Sequence, residues 1–205
     1  LRAVGLPPEL TRGGNILRPK DAARIYAQPW TEFKRLADLG VLKKMATGYY
    51  AIVPLNRVGD HRWQPDLETV ALGIAQADYG TAEVALMGTS AVRLHGVIPR
   101  PLGEAVVAVP KQRPVLATEA GTVTFVKRDV NGLELERVLN GWVTTVEQTF
   151  VDLAARPALG GLPEADIVVA LRDLRRRSDA DTIERLARDQ HKPRALRYAK
   201  EVLDA

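Results

Sequence analysis

The chain has 205 residues, 46% of them hydrophobic, and no cysteine. That length can bury a core in one or two compact domains, no run of eighteen apolar residues offers a membrane span, and the missing thiols exclude disulfides, thiolate metal sites and a cysteine nucleophile. The net charge of +4 is unevenly spread: 11 Lys/Arg stand against 5 Asp/Glu in residues 1–62, 8 against 13 in 63–171, and 10 against 5 in 172–200. Two basic ends around an acidic middle are the footprint of a polyanionic partner, although any single Lys/Arg run is as readily a solvated face. No signal peptide is visible, the sequence begins at Leu1 rather than methionine, and a cytoplasmic setting without membrane contact is expected.

In chain order, Pro19 opens a first expected helix, about Pro19 to Ala27, because proline in a first turn loses no helical hydrogen bond. Pro29 opens a second over "PWTEFKRLADLG", in which Phe33, Leu36, Ala37 and Leu39 form an apolar stripe and Gly40 supplies a left-handed stop. Thr31, Lys34 and Arg35 are left on its free face. The runs "VLKKM" and "YYAIV", joined by "ATG", read as a β-hairpin with Lys43 and Lys44 in its first strand and Thr47 at its tip. Helix, helix, hairpin is the order of a winged helix-turn-helix, which places its second helix in a major groove and its wing on the backbone. Residues 1–60 are therefore expected to form a winged-helix domain that binds double-stranded DNA through Thr31, Lys34, Arg35, Lys43, Lys44 and Thr47. Two other readings stay open, a winged-helix protein-binding module with no DNA role and a ligand-responsive transcription factor with a sensing pocket in the second domain.

"NRVGDHRW", residues 56–63, reads as a linker. Residues 61–205 are expected to form a larger α+β domain with a small, mainly antiparallel sheet packed on one face. A helix follows Pro65 and closes near Gly80, and a short one starts at "MGTS". Strands are expected at 104–110, 122–128 and on either side of the Asn140-Gly141 corner, and four helices close the chain. In the last helix Leu196, Ala199 and Leu203 form the buried stripe, while Arg194, Arg197 and Lys200, extended by Arg185 and Arg188, form a second basic face.

No catalytic constellation emerges. His61, His95 and His191 lack metal-ligand spacing, so no metal is expected. "GTS" at 88–90 could open a phosphate cradle of the nucleotidyltransferase kind, but the strand "VVAVP" lacks the acidic pair that chemistry needs, and a helix N-cap is the better reading. The expected protein is not an enzyme and takes no cofactor.

With "GYYAIVP", "MGTSAVRLHG", a strand pair and "TFVDLAAR" in this order, the chain resembles the AbiEi-type antitoxins of bacterial abortive-infection, type IV toxin-antitoxin systems over nearly its whole length. The resemblance implies an autorepressor that binds repeats in its own promoter and counteracts a nucleotidyltransferase-like toxin, without requiring a stable complex with it. It also implies a positive face on the second domain that serves DNA binding and antitoxicity.

Overall fold

The computed structural model describes residues 5–138 and 140–204, which form an α+β chain with two sheets. The N-terminal sheet is three-stranded and antiparallel, in the order β1 (Ile16–Leu17), β3 (Tyr49–Ile52), β2 (Leu42–Ala46). A short helix α1 (Pro8–Thr11) precedes it, and α2 (Pro29–Asp38) stands between β1 and β2.

The helix expected over 19–27 is a correction. Only a 3-10 turn, Pro19–Ala22, forms there, followed by further turns in which Ile25 and Tyr26 N–H both donate to the Ala22 carbonyl. The segment is too short to propagate a helix before Pro29, and Gln28, lying before that proline, is held out of the helical region at φ −131°, ψ 75°.

Strand alternation gives the small sheet two working faces. Leu17, Leu42, Tyr50 and Ile52 turn towards Phe33 and Leu36 of α2. Burying those last two side chains contributes about 1.5–3 kcal/mol each. Ile16, Met45 and Ala51 turn the other way and join the core of the larger unit, against Val70, Ile74 and Val123. The approach is close at Gly73, where a Cβ would stand 2.4 Å from Ile16 Cγ1. The expected linker is largely exposed; Leu55–Arg57 is a 3-10 turn, and Trp63 is half-buried against the larger core.

The second sheet has six strands in the order β6 (Leu116–Thr118), β7 (Gly121–Lys127), β5 (Glu104–Val109), β4 (Ala85–Leu86), β9 (Gly141–Thr144), β8 (Leu135–Val138). Expected as small and mainly antiparallel, it has three antiparallel pairings and two parallel ones, and its longest ladder, β5 with β7, is parallel. Nor is it covered on one face alone. Ala105, Val107 and Val109 of β5 meet α3 (Leu67–Tyr79), and Val106 and Ala108 pack on the opposite side with Met87, Val126 and Leu133. A continuous apolar strand is what two-sided burial requires.

Asp66 caps α3 by accepting from Thr69 N–H, at the place expected from the sequence. Helix α4 (Gly88–Leu94) leads from β4, and α5 (Val146–Ala155), α6 (Glu164–Arg177), α7 (Ala180–Asp189) and α8 (Pro193–Asp204) enclose a separate apolar cluster around Phe150, Leu153, Leu171 and Leu174. Among the described residues no helix is long and apolar enough to cross a membrane.

Candidate nucleic-acid interface

Burial of Phe33 and Leu36 sets the rotation of α2, and it leaves Thr31, Lys34 and Arg35 exposed. Lys34 has no ion-pair or hydrogen-bond partner among the described residues. Arg35 grips Glu32 through both nitrogens, Nε to Oε2 at 3.0 Å and Nη2 to Oε1 at 2.6 Å. That hydrogen bonding holds the Glu32 carboxyl below its ordinary value and raises Arg35. The pair is exposed, so exchanging Glu32 for another acceptor costs little.

The hairpin divides its two lysines. Lys44 is exposed on the α2 side of the sheet with no partner among the described residues, whereas Lys43 shares the inner face with Met45 and donates its ammonium to the Trp63 carbonyl. Thr47 is exposed in the turn beside Gly48, whose φ of +84° suits glycine. A Cβ on Gly48 would lie 3.8 Å from Trp30 Cη2, so the hairpin tip adjoins the first turn of α2. Trp30 remains 56% exposed there, and Thr31, next to it in α2, and Thr47, next to Gly48 in the turn, are exposed as well. Lys20 and Arg24 are also exposed on the turns before α2; the helix expected across them hid their position next to it.

At the other end, Arg194, Arg197 and Lys200 of α8 are exposed without ion-pair partners among the described residues, while Ala195 and Ala199 are buried and Leu196 and Leu203 half-buried. Arg188 of α7 is similarly exposed, but Arg185 is drawn to Glu134 and to Asp189. The run Arg175, Arg176, Arg177 at the end of α6 adds exposed charge that the sequence reading did not single out; Arg176 and Arg177 share Asp173.

The quoted motifs of the second unit serve its interior. Ser90 Oγ accepts from Val106 N–H at 2.9 Å, tethering α4 to β5, and the cap of α4 is Met87, so the N-cap reading of "GTS" is corrected. Gly160 lies against Thr89 so closely that a Cβ would meet Thr89 Oγ1 at 2.0 Å. Asp152 of "TFVDLAAR" is buried between Arg128 at 3.0 Å and Lys192 at 2.6 Å. Burial lowers the Lys192 ammonium from its ordinary value, against the attraction of Asp152. His95 reaches the Thr144 carbonyl at 2.8 Å, and His61 and His191 are exposed.

Residues 83–205, from the 3-10 turn before β4 to the end of α8, match the family model of the AbiEi antitoxin C-terminal domain. The chain belongs to the AbiEi antitoxin family. No curated protein matches it. The AbiEi match contains β4 to β9 and all of α4 to α8, hence the Ser90 tether, the Asp152 cluster and the second basic face. Membership in an antitoxin family implies a toxin as partner.

Proposed function

We propose that this AbiEi-family antitoxin is a DNA-binding autorepressor that recognises repeats in its own operon promoter and counteracts a nucleotidyltransferase-like toxin, without catalysis and in the cytoplasm. The observation that carries the reading is the basic patch formed by the free face of α2 and the adjoining hairpin tip, with Thr31, Lys34, Arg35, Lys44 and Thr47 exposed. Its support is the order helix, strand, 3-10 turn, helix, strand, strand with sheet order β1-β3-β2, which suits a winged helix with α2 in the major groove. The unpaired cations of α8 supply phosphate contacts from the second domain.

The test combines electrophoretic shifts on promoter DNA with rescue of cells that express the adjacent toxin. Reversal of Arg194, Arg197 and Lys200 to glutamate should keep the melting curve, since none is buried, and should lower both repression and rescue. A folded triple variant with full repression and full rescue would overturn the role given to α8. A flat shift of the unmodified protein on its promoter would overturn the repressor reading.

A further inference from the structure

Between the loop that precedes β1 and the corner joining β8 to β9 lies a cavity of about 260 Å³. Its walls expose more polar than apolar surface. Arg12 and Arg137 line it, with Asn15, Thr81 and Asn140, and among the described residues no carboxylate does. Both walls rest on one side chain, Gln76 of α3. Its Nε2 donates to the Asn140 carbonyl, a Cβ on Gly141 would stand 2.4 Å from that nitrogen, and a Cβ on Gly14 would lie 4.0 Å from Gln76 Oε1. Arg137 is opposite Trp142 in the β8–β9 ladder, its guanidinium carbon 5.5 Å from the centre of the indole ring, and Trp142 also lines the cavity. The neighbouring acid, Glu136, turns to the other face of the strand, where it stands 3.6 Å from His95 Nδ1. Arg12 and Arg137 are exposed, and neither has a carboxylate partner among the described residues. Two guanidiniums without a counter-charge in a polar recess suit an oxyanion, because each planar fork donates paired N–H groups to its oxygens. A phosphate monoester, with about −1.5 to −2 charge at neutral pH, matches two cations better than a diester does.

We propose that this cavity is a binding site for a small phosphate monoester, its phosphoryl oxygens held by Arg12 and Arg137 and by donors from Asn15, Thr81 and Asn140. It uses no residue of α2 or α8 and does not depend on the DNA or toxin reading.

The experiment is a heteronuclear NMR titration of the full chain, followed at the Trp142 indole N–H, which Trp142→Phe assigns. Phenyl phosphate is the monoester probe and methyl phenyl phosphate its diester counterpart. Saturable movement of that signal by phenyl phosphate is expected, with an affinity at least tenfold above that of the diester. Arg12→Ala and Arg137→Ala should each weaken binding at least tenfold and keep the melting midpoint, since both side chains are exposed, whereas Arg172→Ala, exposed on α6, should leave it unchanged. No saturable movement, full affinity in both cavity variants, or equal weakening by Arg172→Ala would each overturn the assignment. A diester bound as tightly as the monoester would also overturn it, in favour of a nucleic-acid backbone. If either arginine variant does not fold, the two probes on the unmodified chain still decide.

Discussion

At the scale of single residues, neighbours in sequence separate in role because a strand sends them to opposite faces. Lys43 and Lys44 are equivalent in composition, and sequence reading pairs them as a basic wing. Only Lys44 is free to meet a phosphate, since the Lys43 ammonium is held by the Trp63 carbonyl. Lys44→Ala should therefore weaken specific and non-specific DNA binding together and reduce the salt slope by about 0.9, one phosphate contact on duplex DNA. Lys43→Ala should leave that slope in place and lower the melting midpoint instead. Mobility shifts over a salt series, beside melting curves of both variants, separate the two; equal loss of slope would place both lysines on the backbone. Which face carries which lysine was not legible, because Met45 and Ala51, with Ile16, pack into a core whose remaining residues all lie at Leu67 and beyond.

Among the elements, those with strong local signals were legible. Proline at a first turn marks α2, Pro65 and Gly80 bracket α3, and Asn140-Gly141 marks the corner between β8 and β9. The strands that escaped, β1, β4 and β6, are two or three residues long and are strands only because a partner supplies their hydrogen bonds. β1 shows how much such a strand can matter. Its Ile16 stands against Gly73 in the middle of α3, where helix propensity alone would favour alanine. Gly73→Ala should nevertheless destabilise the protein by about 1–3 kcal/mol, since the new methyl meets Ile16 within the core. Adding Ile16→Ala should recover part of that loss relative to the sum of the single variants, a coupling that a double-mutant cycle in denaturant measures. Strict additivity would show that α3 and β1 do not constrain each other.

For the whole molecule, the two basic ends could be counted in the sequence, but the joint that holds them in one body could not. Arg18 beside β1, Tyr49 of β3, Asp78 of α3 and Arg113 before β6 converge from far-separated positions. Arg18 reaches Asp78 at 2.5 Å, Tyr49 donates to it at 2.7 Å, and the Arg113 guanidinium lies 4.3 Å from the centre of the Phe125 ring. Burial, with the hydrogen bond to Asp78, raises the Tyr49 phenol above its ordinary value of 10.0, although Arg113 opposes this. The stability it contributes is full below that ordinary value and is lost as pH rises through the raised folded value, so Tyr49→Phe should flatten the alkaline fall in melting midpoint. Asp78 is the acceptor on which the joint depends. Asp78→Ala leaves two largely buried guanidiniums and a phenol without it, a loss of about 3 kcal/mol and a melting midpoint lower by roughly 6–12 °C. Replacing the ions together, Arg18→Met, Asp78→Leu and Arg113→Met, should restore most of that midpoint, because apolar groups of similar volume leave no buried charge uncompensated and Asp21, the other partner of Arg18, is exposed to water. Differential scanning calorimetry of the single and triple variants decides: a triple variant no more stable than Asp78→Ala would mean that the ion network, rather than the packing around Ile16 and Met45, holds the N-terminal sheet to the antitoxin domain.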